Sequence, residues 1–177
     1  MATYQREHIP DQDIFTEATR KQLDAIKAER AVHGLRIGFT ASSFDLVHPG
    51  HILMLKEARE QCDLLVCALQ TDPTLNRPDT KNRPIQTLEE RRVMLSGVRY
   101  VDRVVDYATE KDLLEILRTL QPDVRILGSD WQGKPYTGHE LSDIPCFFHD
   151  RSGHSWSTTK LRRRIYEAER IKRKASE

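Results

Sequence analysis

Two histidines three residues apart, His48 and His51, are separated by Pro49-Gly50 within the segment Ser42-Ser43-Phe44-Asp45-Leu46-Val47-His48-Pro49-Gly50-His51. Imidazoles at i and i+3 across such a turn can point into one space. Gly50 lets an anion come close to the backbone, and a helix beginning there offers free N–H groups and the positive end of its dipole. The chemistry suited to this set is displacement at a phosphorus atom. That reaction needs alignment, and donors that meet charge growing on the phosphate oxygens, more than it needs covalent help. The plainer alternative is a pair of histidines that only cap a helix.

The elements that must hold these residues alternate between strand and helix. LRIGFTAS is a strand candidate that ends at the histidine segment, and HILMLKEAREQC repeats Ile52, Leu55, Ala58 and Cys62 at helical spacing. DLLVCALQ is a continuous apolar run, the pattern of a parallel strand buried on both faces. A polar loop, Thr71 to Gln86, carries three prolines and the cations Arg77, Lys81 and Arg83. TLEERRVMLSGV follows as a helix, with Thr87 and Glu90 at capping-box spacing. VDRVV, VRILGSD and IPCFFHD complete five strands, EKDLLEILRTL stops at Pro122, and STTKLRRRIYEAERIKRK closes the chain as a capped helix. This order predicts an α/β fold, a Rossmann-like doubly wound parallel five-stranded sheet, with its ligand at the carboxyl ends of the strands. Residues 1–34 read as an N-terminal helical extension. Ile14, Ala18, Leu23, Ala25, Ile26 and Ala31 would pack on the domain or on a partner subunit, and Gly34 would cap the helix. Residues 35–177 then form the domain proper, with a basic C-terminal helix.

Composition excludes more than it assigns. Lys plus Arg number 28 and Asp plus Glu 27, so no global field draws the chain to nucleic acid or membrane. Cations do gather between Lys160 and Lys174. The longest apolar run, Leu64 to Leu69, is far short of a membrane span, and the first residues lack the apolar core of a signal peptide, so a cytoplasmic location is the expectation. Cys62, Cys67 and Cys146 show no paired spacing and read as buried reduced thiols. His8, His33, His139 and His149 have no metal-ligand spacing, so Mg²⁺ arriving with a phosphate-bearing ligand is the expected cofactor rather than a protein-held metal.

FDLVHPGH resembles the HxGH signature shared by class I tRNA synthetases and cytidylyltransferases. RRVMLSGVRYVDRVV, GSDWQGK and RSGHSWSTTK narrow the resemblance to the cytidylyltransferase branch, with glycerol-3-phosphate cytidylyltransferase nearest in pattern from about Leu35 to Ile165. The resemblance implies transfer of CMP from CTP to a phosphorylated alcohol, glycerol 3-phosphate first, with release of pyrophosphate. It implies His48 and His51 as transition-state donors, and Lys81 of the polar loop as a cation reaching the triphosphate. Ser42, Ser43, Phe44, Asp45 and Gly50 would line the nucleotide cleft, with Arg91, Asp130, Trp131 and Arg151 beside them. Ser157, Thr158 and Thr159 would hold phosphate oxygens. RYVD resembles a segment at the subunit contact of dimeric relatives, which implies a homodimer. The departures fall on Ser42-Ser43, where relatives have Gly-Thr, and on Arg151-Ser152-Gly153-His154-Ser155-Trp156-Ser157-Thr158-Thr159, one residue longer than the family pattern. An aromatic cage for a quaternary ammonium acceptor is missing. Two rivals remain. One is an adenylyltransferase using ATP and a sugar phosphate, since heptose-phosphate adenylyltransferases share HxGH and an NRP-x-x-x-LEER-like stretch. The other is a nucleotide- or nucleic-acid-binding module without turnover, touching phosphates through the basic last helix.

Overall fold

The computed structural model describes residues 15–176, so Ile14 and His8 lie outside the described residues. The elements run α1 (Glu17–His33), β1 (Ile37–Ser42), α2 (Pro49–Glu60), β2 (Leu64–Gln70), α3 (Leu88–Ser96), β3 (Arg103–Tyr107), α4 (Glu110–Leu120), β4 (Val124–Gly128), β5 (Cys146–His149) and α5 (Thr158–Lys174). The five strands pair parallel in the order β3-β2-β1-β4-β5. The chain therefore leaves one edge after β3 and re-enters on the far side of β1. The crevice over β1 and β4 is the switch point where such sheets take ligands.

Strand alternation sorts the core into two layers. Along β2, Leu64, Val66 and Ala68 face one cluster with α1 and α4, while Leu65, Cys67 and Leu69 face the other with α2 and α3. A strand whose every residue is buried must be apolar on both faces, which is why DLLVCALQ shows no alternation. α1 packs on the domain, one of the two placements its apolar stripe allowed. Its Leu23 and Ile26 lie in one cluster with Ile37, Phe39 and Ile116, so a boundary at residue 34 cuts through a shared core. Thr16 caps its start and Gly34, at φ 65°, its end. Arg30 reaches Asp123 at 2.6 Å, and Asp123 accepts the Ile37 N–H at 2.7 Å, which ties the helix to the sheet.

Cys62 and Cys67 are buried free thiols, but Cys146 is half-exposed with its sulfur 3.1 Å from the Tyr136 hydroxyl. β3 starts two residues later than VDRVV suggests, because Val101 sits in the turn and Asp102 is spent accepting the Leu65 N–H at 2.7 Å. None of the described helices is long and apolar enough to cross a membrane. α5 differs from the rest. It buries none of its residues and leaves Ile165, Tyr166 and Ile171 in solvent.

Candidate functional site

The carboxyl ends of β1, β2, β4 and β5 open into one cleft of about 380 Å³. His48 and His51 stand on its floor at the start of α2. His48 is the N-cap residue, and its Nδ1 accepts the Gly50 N–H at 3.1 Å. His51 Nδ1 accepts the His48 N–H at 3.4 Å, a reciprocal capping arrangement built from imidazoles. Capping and chemistry are therefore not alternatives. With Nδ1 occupied as an acceptor, each neutral ring carries its proton on Nε2, which leaves an N–H donor on the far edge. The rings stack with centroids 4.0 Å apart.

Their electrostatics keep them neutral. Burial is the largest cause lowering His51, to about 3, with His48 and Arg151 adding charge repulsion. His48 is also lowered, by burial first and then by Arg151 and His154. Gly50 belongs between them because of the neighbours: a Cβ there would meet His154 Cε1 at 2.8 Å and His48 Cε1 at 3.1 Å.

The turn from β1 into α2 holds Phe44 at φ 45° and Leu46 at φ 49°, backbone conformations that non-glycine residues seldom adopt. Three part-buried hydrogen bonds hold this turn. Asp45 Oδ1 accepts the Ile85 and Gln86 N–H groups at 3.0 and 3.1 Å, and the Leu46 N–H donates to Gln86 Oε1 at 2.8 Å. Arg91 donates to the carbonyls of Ser43, Gln70, Thr71 and Gln86 at 2.6–3.2 Å. Burial lowers this guanidinium, and the carboxylates of Asp45, Asp72 and Asp106 offset part of that loss.

Thirteen of the fifteen residues singled out in the sequence line the cleft: Ser42, Ser43, Asp45, His48, Gly50, His51, Lys81, Asp130, Trp131, Arg151, Ser157, Thr158 and Thr159. Phe44 and Arg91 do not. Phe44 is fully buried beneath the turn, 5.6 Å from the His51 ring, and Arg91 is 2% exposed with its donors spent on carbonyls. The resemblance places Arg91 beside the nucleotide cleft, but the packing sends it inward to hold the loop. Asp45 is committed as well. Arg162 Nη2 pairs with its Oδ2 at 2.8 Å and donates to the Arg83 carbonyl at 2.5 Å, and the Thr158 hydroxyl donates to the Asp45 carbonyl at 3.3 Å. The start of α5, with Ser157 as N-cap, is thereby docked over the cleft.

On the β4 side, Arg151 Nη1 donates to both carboxylate oxygens of Asp130 at 3.1 Å. Gly128 lies under this pair, where a Cβ would meet Asp130 Oδ1 at 2.4 Å and Arg151 Cδ at 2.8 Å, so a side chain there would have to displace the pair. Trp131 faces the Arg77 guanidinium at 5.8 Å.

The loop from Thr71 to Gln86, polar and rich in proline, is nonetheless anchored to the domain on both sides of its tip. Asn76 Nδ2 donates to the Ala108 carbonyl at 2.8 Å, and Arg77 pairs with Glu110 at 3.0 Å. Arg83 lies 3.7 Å from Asp72. Only the tip, with exposed Lys81, extends over the cleft mouth without an ion pair among the described residues.

The cleft also contains His149, His154, Trp156 and Arg162, which the sequence reading left aside. One signal could have found His149: it ends a strand at the carboxyl edge of the sheet. Nothing local marks Arg162, whose partner is distant in sequence. The carboxylates in the cleft wall are Asp45 and Asp130, paired with Arg162 and Arg151, and no group of three metal-ligand side chains forms among the described residues. That donor set suits Mg²⁺ held by phosphate oxygens and water, with Asp130 at most one protein contact.

A sequence model described as cytidylyltransferase-like matches residues 39–164. Among curated proteins the chain is similar to the bifunctional protein HldE of Gluconacetobacter diazotrophicus, 37% identical over 123 residues, covering 70% of this chain and 25% of that protein. HldE of Rhodospirillum rubrum is 35% identical over 144 residues, covering 80% of this chain and 28% of that protein. The chain thus spans about a quarter of the length of the curated relatives it matches. Among solved structures, the lipopolysaccharide core biosynthesis protein from Thermoplasma volcanium aligns with a TM-score of 0.53 and 28% identity over 66% of this chain and 96% of that one. Pantoate-beta-alanine ligase from Francisella tularensis aligns with a TM-score of 0.58 at 17% identity, over 81% of this chain and 70% of that one, a likeness of fold.

Proposed function

Because the chain belongs to the cytidylyltransferase-like family, we propose that its cleft transfers the nucleoside-monophosphate part of a nucleoside triphosphate to a small phosphorylated acceptor. The observation that carries this reading is the pair of neutral imidazoles. Their Nε2–H groups sit at the start of α2, in one cleft with the start of α5. A phosphate oxygen of the acceptor, already anionic, attacks the α-phosphorus. The new P–O bond forms as the bond to the bridging oxygen breaks, and pyrophosphate leaves with the electron pair. No general base is needed. The His48 and His51 Nε2–H donors meet the charge that grows on the α-phosphate oxygens, where uncharged donors need no proton to be removed first. Ser157, Thr158 and Thr159 at the α5 start receive the β- and γ-phosphates, and Lys81 closes over them from the loop tip. Mg²⁺, when bound with the triphosphate, neutralises part of its charge.

Two donors are supported by different observations. ATP with a sugar phosphate comes first, since the similarity to the HldE proteins extends over most of the chain and agrees with the NRP-x-x-x-LEER-like stretch. CTP with glycerol 3-phosphate is favoured by GSDWQGK and its Asp130–Arg151 turn. A homodimer through α3 and RYVD is part of the proposal, supported by Val93 and Met94 standing 63% and 48% exposed beside that segment.

The test is a pyrophosphate-release screen of four nucleoside triphosphates against phosphorylated sugars, glycerol 3-phosphate and related polyols. His48→Ala or His51→Ala should then slow the productive pair by about 10²–10³. Failure of every pair, or a double variant with near-normal turnover, would overturn the reading.

A further inference from the structure

Phosphate binding leaves one cluster on the cleft wall unexplained. His149 ends β5, only 3% exposed, and its Nδ1 lies 2.8 Å from Glu57 Oε2 on α2. A carboxylate can only accept, so the hydrogen of this bond sits on Nδ1, and Nε2 points away from it. That Nε2 is buried without a partner. The His154 ring lies 5.8 Å away by centroids, and both its nitrogens are buried and unpartnered too. His154 stacks on Trp156 at 5.2 Å and covers Gly50, beside His48.

Folded proteins satisfy nearly all buried polar atoms, so three orphaned imidazole nitrogens on one cleft wall call for a ligand group. Its chemistry follows from the donors and acceptors. An imidazole nitrogen donates or accepts according to whether it carries the proton, and a phosphate dianion can meet only the donors. His154 brings two more such nitrogens to the same wall. An ammonium would satisfy acceptors alone. A hydroxyl both donates and accepts, and the Trp156 ring supplies a flat apolar face for the C–H side of a hydroxyl-bearing ring or chain.

We propose that His149, His154 and Trp156 form a hydroxyl-binding subsite beside His48, held in register by Glu57, that selects a polyhydroxylated part of the substrate. The proposal rests on the nucleotidyl-transfer reading. The hydroxyl can come from the ribose of the nucleotide or from the acceptor, and the experiment separates them.

Wild type, His149→Phe and His154→Ala are assayed with the productive nucleotide and its 2′-deoxy and 3′-deoxy forms, and with the acceptor and its singly deoxygenated forms. In one arm, removing a hydroxyl should cost wild type about tenfold in kcat/KM. The variants should lose a similar factor on the complete substrate and be indifferent to the missing hydroxyl. Indifference in the nucleotide arm assigns the subsite to ribose, and in the acceptor arm to the acceptor; either supports the proposal. Variants that remain as sensitive to every deoxygenation as wild type would overturn it. His154→Ala, on a surface loop, keeps the test open should His149→Phe fail to fold.

If wild type turns over no pair, the transfer reading fails on its own. The subsite is then judged by the imidazole ¹⁵N resonances of His149 and His154 under titration with ribose 5-phosphate and glycerol 3-phosphate. A shift with either supports the subsite, and silence with both overturns it.

Discussion

Asp45→Asn is the perturbation that best separates a cleft residue from a structural hub. The carboxylate does two things at once. One oxygen holds the Ile85 and Gln86 N–H groups, and the other holds Arg162, the two side chains being 4% and 22% exposed. Asparagine keeps a carbonyl for the loop but turns an amide N–H₂ toward the guanidinium. The charge-assisted bond is lost, at about 2 kcal/mol for a pair this well shielded. α5 has no buried residue to compensate, and what remains is the Arg162 bond to the Arg83 carbonyl at 2.5 Å and the weaker Thr158 bond to the Asp45 carbonyl at 3.3 Å. Local opening of the first turn of α5 should therefore become about 30-fold more frequent, read by hydrogen exchange at residues 160–165. KM for the triphosphate should rise with little change in kcat, since Ser157–Thr159 lose their placement while the imidazoles keep theirs. The acid response adds a check. Burial raises the Asp45 carboxyl, but Arg162 and the Gln86 and Ile85 N–H groups outweigh it, so the group lies below its ordinary 3.8. Its contribution is present above 3.8 and lost as pH falls through the lowered value, and the asparagine variant should lack this loss. Unchanged exchange in α5 together with an unchanged KM would refute the argument.

Arg91→Met strands four carbonyls and should cost about 3–5 kcal/mol, lowering Tm by roughly 10 °C. A raised triphosphate KM at unchanged Tm would instead return Arg91 to the nucleotide. His51 is neutral in the fold and protonated when unfolded between about 3 and 6.5. The stability it allows above 6.5 is lost as pH falls toward 3. Wild type should lose about 2 kcal/mol more than His51→Gln between pH 7 and 4.5 in urea titrations, and equal losses would contradict the depressed value. Nucleotide should slow hydrogen exchange at residues 79–82, while 72–77 and 83–86 are protected without it, and Lys81→Ala should raise triphosphate KM at unchanged Tm. Light scattering at micromolar concentration should return twice 20.6 kDa, and the monomer mass would remove the dimer.

The sheet was legible because burial imposes periods on a sequence. DLLVCALQ, buried on both faces, had to be a continuous apolar run, and α4 between Thr109 and Gln121 had to repeat its leucines at helical spacing. The cleft lining was legible where it falls on contiguous residues, as in His-Pro-Gly-His at the start of α2 and Ser-Thr-Thr at α5. What the sequence could not show is the direction in which a polar side chain is spent. Arg91 and Lys81 are both cations flanking one loop, yet one is buried under four carbonyls and the other is exposed. Asp45 and Arg162 are 117 positions apart and meet only because α5 folds back over β1. Glu57, His149 and His154 carry no spacing signal, since they converge from a helix, a strand end and a loop. Periodicity records which face is dry, a local property of each element. Which donor meets which acceptor depends on distances between elements, and those exist only once the sheet has brought its carboxyl ends together.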